Sequence, residues 1–420
     1  MNCVFKKMRV FQAIPYAIVL NCLIAGAQAQ TTEPPRIVST LAEVFNVAWL
    51  RQPEARASSL RREASVAQIN AANMLTSESP SFEISQRSDR MNGNQGSREI
   101  EIGFAVPLWL PGQRSASQQL AEVESSFVDH KIHATKLRLA STVREAWWNW
   151  HRATLDRQVA LDHLSNAQKI FRDVTKRKAA GDLAKSDQYQ AEGAVAAAEV
   201  LVAQAQAEVT AAAAALAALS GISVQVKSTV NLVSETLPSS TQSKIHPTVA
   251  ELEGRLEVLK KTADLVSTQK RAAPELTIAT SRERGAFGER YGQTVMFGVR
   301  IPLGDGARFD ARFYSAGAEV VEAESQLNIE REKLKSEQSV AEFRVQAART
   351  QLRAIERRSY LAKESRQFFD KSFRLGETDL PTRLRVESEA LEAERQLANS
   401  QINLAAAISS WRQSLGLLPE

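Results

Sequence analysis

Two stretches 195 residues apart alternate apolar and polar side chains in the same phase. Ile100, Ile102, Phe104, Val106 and Leu108 share one face of "EIEIGFAVPL", and Val295, Phe297, Val299, Ile301 and Leu303 share one face of "QTVMFGVRIPL". A period of two predicts half-buried β-strands. Each has a partner just upstream: Phe82 and Ile84 after Pro80, and Leu276 and Ile278 after Pro274. The stretches between, "SDRMNGNQGS" and "RERGAFGERYG", carry the glycine, asparagine and charge of water-exposed turns. The pattern predicts two β-hairpins, at about 80–108 and 274–303.

Each hairpin feeds a stretch of helical periodicity. Residues 113–180 hold neither Gly nor Pro over 68 positions, and 307–375 hold no Pro and only Gly317. One helix of that length would be about 100 Å long. Leu164, Ala167, Phe171 and Val174 step by three and four, and Ile355, Ala362 and Phe369 recur every seven, which predicts coiled-coil packing. Both runs stop at a glycine, Gly181 in "KAAGDLAKSD" and Gly376 in "RLGETDLP", suited to a left-handed helix end. Asp379 and Pro381 then read as the start of the next helix. Return helices are expected over 182–220 and 377–415. Val195, Val202 and Val209 mark the first, which is crowded with alanine near its end; Leu384, Leu391 and Ala398 mark the second. A shorter helix precedes each hairpin, roughly Thr40–Leu75 and Pro247–Ala272.

The chain is thus a duplication, with halves at 30–221 and 247–420 and a polar linker at 222–246. Within the linker, "VQVKSTVNLV" reads as a short strand, and the linker as a whole is expected on the outside of the body. Residues 1–29 read as a secretory signal: Lys6, Lys7 and Arg9, an apolar run, then "AQA" ending at Ala29. Asn21 before Cys22 argues against lipidation there. Cys3 and Cys22 are the only cysteines, so the remainder has no thiol for a disulfide or a Cys-based metal site. The net charge of +5 includes three basic residues of this leader, so the basic pI does not point to nucleic acid. No later stretch has the roughly 18 consecutive apolar residues of a membrane helix. A membrane-crossing part must then be β-barrel. Four strands are too few for a barrel; two copies supply eight, and three supply twelve and can leave a channel.

The duplicated order of helix, hairpin, long helix, glycine turn and helix resembles the TolC family of outer-membrane efflux proteins. The segments "VPLWLPGQR" and "IPLGDGAR" at the strand ends carry this likeness. So do "AAGDLAKSDQYQAE" and "LGETDLPTRLRVESE" at the turns, in register in both copies. Chain length and the basic residues Arg114 and Arg308 after the strand-end glycines look more like its heavy-metal, CzcC-like branch. The resemblance implies a mainly α protein with a small β part. It would assemble as a homotrimer with a twelve-stranded outer-membrane barrel, continued by a periplasmic α-helical barrel. It also implies docking to a periplasmic adaptor and an inner-membrane pump of the RND type, with passive conduction, no catalysis and no cofactor. The expected surroundings are outer-membrane lipid, not nucleic acid. Type I protein secretion and a non-spanning periplasmic coiled-coil adaptor are the alternatives.

The same resemblance puts the two glycine turns at the periplasmic tip, where the pore closes and the adaptor binds. The flanking candidates are Lys178, Ala180, Gly181, Asp182, Leu183 and Asp187 in the first copy, and Arg374, Leu375, Gly376, Glu377 and Thr378 in the second. As helical-hairpin turns, the same residues need serve only geometry. Family members often carry aspartates just beyond the second turn; here Thr382 and Arg385 stand there. Arg383 or Arg385 paired with a neighbour's acid is an alternative closure, and a solvated charged face is the plain reading. Trp109, directly after the second strand, suits a membrane-interface anchor. Trp147, Trp148 and Trp150 lie about 50 Å further along the helix and are expected to pack against the linker. His130 and His133 are one helical turn apart but have no third ligand in view. No nucleophile–base pair or phosphate loop is present, so nothing points to an enzyme.

Overall fold

The computed structural model describes residues 40–222, 234–238, 245–304 and 306–420. The leader with its two cysteines, the strand expected at 224–233 and most of the linker lie outside the described residues. Among the described residues, seven helices and four strands follow in order. They are α1 (Leu41–Arg51), α2 (Pro53–Ala72), β1 (Ser81–Ser88), β2 (Arg98–Pro107), α3 (Gln113–Ala179) and α4 (Lys185–Ser220). Then come α5 (Pro247–Thr268), β3 (Glu275–Arg284), β4 (Gly292–Arg300), α6 (Gly306–Leu375) and α7 (Leu380–Ser414). The mainly helical, duplicated architecture is the expected one. It differs at the first helix, where Gln52 turns extended and α2 restarts at Pro53, because a proline is tolerated in a helix's first turn but not inside it.

The strands form one antiparallel sheet in the order β1-β2-β3-β4, so β1 and β4 are its free edges. Phe82 faces Phe104, Phe104 faces Ile278, and Ile278 faces Phe297, so one continuous face is apolar across all four strands. Those four side chains are exposed in the single chain. The opposite face carries every strand carboxylate: Glu83, Glu99, Glu101, Glu275 and Glu283.

The helices hang from one end of this sheet. α4 packs on α3, α3 on α7, and α7 on α6, giving a wall ordered α4–α3–α7–α6, with α5 bridging α3 and α6 higher up. A single seam runs down α6: Ala316, Val320, Ala323, Leu327, Glu330, Leu334, Gln338, Ala341, Val345, and on in alternating threes and fours to Phe373, all buried or half-buried. The alternation breaks once, with two steps of four at 330–334–338. There α6 changes partner: above, Ala323 and Leu327 pack on α5, and at the break Gln338 donates to the Ser414 carbonyl where α7 ends. An inserted step re-aims a coiled-coil seam, which is what this exchange requires.

The largest core sits at mid-height. Leu41, Val44, Phe45 and Ala48 of α1 meet Val143, Trp147, Trp148 and Trp150 of α3, Leu216 of α4, and Ile402 and Ala405 of α7. Among the described residues, the tryptophans pack against α1 and the return helices, because α1 brings an apolar face; most of the linker expected to cover them lies outside the described residues. One turn away, the described linker segment 234–238 is held by charge. Buried Glu235 pairs with Arg144 at 2.7 Å and Arg412 at 3.3 Å, and Arg412 also pairs with Glu420.

Candidate functional site

The end of the helical wall furthest from the sheet is built twice from one plan. In the first copy, the Gly181 N–H donates to the Lys178 carbonyl at 3.1 Å and the Asp182 N–H to the Arg177 carbonyl at 2.9 Å. In the second, Gly376 donates to Phe373 at 3.1 Å and Glu377 to Ser372 at 3.0 Å. These paired bonds need a left-handed residue after the helix, and Gly181 and Gly376 supply it at φ of 88° and 81°. The next helices start by carboxylate capping. Asp187 accepts from the Ala184 N–H at 3.0 Å, and Asp379 from the Thr382 N–H at 3.3 Å. The Thr382 bonds hold the Asp379 carboxyl below its usual pKa. Asp187, the acid kept in the first copy, thus works as a cap. Ser372 and Thr378 close the second turn hydroxyl to hydroxyl at 2.6 Å.

Lys178, Ala180, Asp182, Arg374, Leu375 and Glu377 are exposed around the two turns, while Leu183 is half-buried in a tip core of Ile170, Val174, Ala191, Phe373 and Leu380. Phe373 is the centre of that core. Arg177 stacks on it at 4.9 Å and donates to its carbonyl at 2.7 Å, and Arg383 stacks at 4.7 Å.

Arg383 is buried and joins three helices. From α7 it reaches Asp173 of α3 at 3.3 Å and Asp370 of α6, and Asp370 also takes Arg374 at 2.6 Å. One layer higher, Arg366 of α6 pairs with Glu387 and Glu394 of α7 at 3.7 and 3.0 Å, and Asn166 of α3 donates to Glu387. A polar cleft of about 260 Å³ lies between the two layers. Arg385 instead makes an exposed pair with Glu389 of its own helix. Both arginines are thus satisfied within one chain.

Asp173, Asp370, Arg177 and Arg366 were not singled out from sequence. The available signal was a charge inside a heptad seam: Arg366 occupies a seam position between Ala362 and Phe369.

Other candidates lie elsewhere. Trp109 is half-buried at the helical end of the sheet, its indole donating to the Met74 carbonyl at 3.1 Å. His130 packs against α5, where a Cβ on Gly254 would meet its Nδ1 at 3.0 Å; His133 is exposed. No cluster of metal-ligating side chains occurs among the described residues.

The edges of the wall are unfinished. On α4, Gly193, Ala197, Val200, Gln204, Ala207, Ala211, Ala214 and Ala218 step by four and three, and all are exposed. On α6, Val340, Phe343, Ala347, Thr350, Ala354, Arg357, Leu361, Glu364 and Phe368 do the same. Each helix thus has a second heptad face on which no described residue packs. α4 is long and apolar enough to cross a membrane by composition. Its apolarity is mostly alanine, and Glu192, Glu199 and Glu208 punctuate it.

Residues 44–222 match the family model described as outer membrane efflux protein. No curated protein matches the chain. Among solved structures, CusC, described in terms of transmembrane channel formation, superposes with a TM-score of 0.74 at 18% identity, over 90% of this chain and 92% of that one. The outer membrane protein VceC of Vibrio cholerae gives 0.70 at 18%, over 90% and 96%. The CmeC outer membrane channel of Campylobacter jejuni gives 0.72 at 15%, over 98% and 94%. At such identities the shared property is the fold.

Proposed function

We propose that this chain, whose first repeat matches the outer membrane efflux protein family model, belongs to that family and forms a trimeric, passive exit duct for cations. The observation that carries the assembly is that sheet and wall are both incomplete on the same plan. β1 and β4 are free edges, and a sheet edge cannot stand in lipid. α4 and α6 are the edge helices, each with a bare heptad face. Rotation about one axis sets β4 of each copy beside β1 of the next, and α6 beside α4. The interface is heterologous and must close into a ring. Three copies give twelve strands, enough for a water-filled lumen.

The α4 face is small and the α6 face carries Phe343, Leu361 and Phe368, so knobs meet holes. The two helices run antiparallel, and counting from the tip sets Gly193 near Phe368 and Ala218 near Phe343. The apolar sheet face then meets lipid, and the carboxylate face lines the lumen.

Cation passage is supported by charge on that lumen face. Arg87 pairs with Glu99 at 3.2 Å and Arg300 with Glu275 at 3.3 Å, leaving Glu83, Glu101 and Glu283 without an ion pair among the described residues. Three such carboxylates per chain become nine in a trimer, a field that concentrates cations in a narrow pore. Heavy-metal cations or small cationic toxic compounds fit this lumen better than a folded polypeptide. The chain supplies no reaction, so substrate choice falls to the partners: an adaptor at the tip surface around Lys178–Leu183 and Arg374–Thr378, and an RND-type inner-membrane pump beyond it. Arg383, holding α7 to α3 and α6, is the closing element of that tip.

Planar-bilayer recording tests the reading. The full-length trimer should conduct and, in a KCl gradient, show a cation-selective reversal potential that shrinks in an E83Q/E101Q/E283Q variant. A chain that stays monomeric and inserts no conductance contradicts the channel; anion selectivity contradicts the cargo.

A further inference from the structure

The ten charged residues of the four strands divide by face. All five glutamates, with Arg87 and Arg300, share the polar face. The apolar face carries three charges, and all are arginines at the turn end: Arg98, Arg282 and Arg284. Arg98 stands directly opposite Arg284, and Arg282 opposite Ile100, the first apolar residue of the band. Directly opposed like charges cost stability in a sheet. No carboxylate offsets this one, because none of the three arginines has an ion pair among the described residues.

The acids of the adjoining turns are used inward. Asp89 accepts from the Gln95 and Gly96 N–H groups at 2.6 and 3.0 Å, and Glu289 from Gly285 and Ala286 at 2.9 and 3.1 Å. Meanwhile two of the three guanidiniums are held in place. Tyr291 stacks with Arg282 at 5.0 Å and Arg284 at 5.1 Å, and Arg284 Nε donates to the Gly96 carbonyl at 3.0 Å. The three arginines form a row without a paired carboxylate among the described residues, on the sheet face opposite the glutamates.

We infer that this row binds the phosphate groups of glycolipid in the outer leaflet of the membrane. The inference rests on the reading that the sheet spans the outer membrane with its turns outward. From Ile100 to Leu108 the apolar face runs about 27 Å along the strand, or about 20 Å of depth at a barrel strand's usual tilt. Arg98 lies one row, about 7 Å, beyond that band, at headgroup level. Acyl chains would lie on Ile100, Ile102 and Val295 while the phosphates take the arginine forks, which match phosphate geometry. Closing three chains into a ring repeats the row three times and girdles the barrel with nine arginines.

The test uses the full-length protein in detergent, titrated with bisphosphorylated lipid A and with the same lipid after phosphatase treatment. Wild type should bind the phosphorylated form at least about tenfold more tightly, the scale of one charge-assisted contact. The R98Q/R282Q/R284Q variant should lose that preference, while R87Q/R300Q on the other face keeps it. Equal affinity of wild type for both lipids overturns the inference without reference to any variant. A preference that survives in the triple variant also overturns it. The same preparation, run by size exclusion and in planar bilayers, separates the two levels. Trimers that conduct but ignore the phosphates sink this inference alone, whereas monomers without conductance sink the channel reading beneath it.

Discussion

Replacing Arg383 by methionine should loosen the tip. The methionine still stacks on Phe373 but removes the charge bridge from α7 to α3 and α6. Charge-assisted hydrogen bonds contribute about 1.5–3 kcal/mol each. Solvent takes part of that back here, since the Asp173 and Asp370 side chains are 38% and 28% exposed against 10% for Arg383. Asp370 also keeps Arg374 as a partner at 2.6 Å. The net loss is about 2 kcal/mol of α7's hold, which shifts a closed-to-open ratio by about thirtyfold. Single-channel recording should show the open fraction rise by that order, with Arg383→Lys intermediate because it retains charge but not the fork. Circular dichroism and trimer yield should match wild type. An unchanged open fraction in a folded, trimeric R383M channel refutes the closing role of Arg383.

His151 lies buried between Trp147 and Trp150, and burial lowers its pKa to about 4. It is neutral when folded but takes a proton near pH 6.5 when unfolded. Its contribution is therefore complete above about pH 6.5 and lost as pH falls toward 4, about 3 kcal/mol in all. Thermal melts should show that loss in wild type and a flatter profile in His151→Phe; identical slopes would contradict the assignment. Glu235→Leu leaves Arg144 and Arg412 buried with one charge partner fewer, so about 3–5 kcal/mol should disappear, read as a lower melting temperature. Glu235→Gln should lose less. Ala211→Trp overfills the small α4 face without touching the chain's own core, so trimer yield should fall while monomer helicity stays; wild-type trimer yield would argue against that face as the interface.

Much of the fold was legible because its signals are local. Alternation at Ile100–Leu108 needs only the next strand, and Gly181 and Gly376 end helices by their own backbone geometry. The break at Pro53 was legible too, but the helical pattern on either side of it masked the stop. What sequence could not supply are partners distant along the chain. Arg383 meets Asp173, 210 residues earlier, and Glu235 meets Arg144 across 91. The packing of the tryptophan cluster on α1 was hidden for the same reason, since an apolar surface does not name the surface that covers it. The second heptad faces of α4 and α6 were written in the pattern. Only the order α4–α3–α7–α6 shows that they are edges.

Disulfide trapping across the edge helices tests the central claim most directly. Ala207 and Ala354 are exposed, stand roughly 32 Å above the tip on α4 and α6, and lie at opposite edges of one chain. No cysteine occurs beyond Cys22, so an A207C/A354C variant has one new pair of thiols to join. Mild oxidation of intact cells should give a ladder that ends at three chains and collapses on reduction, while either single variant gives no species above a dimer. A double variant that stays a single chain, or one that polymerises without limit, contradicts a closed ring of three.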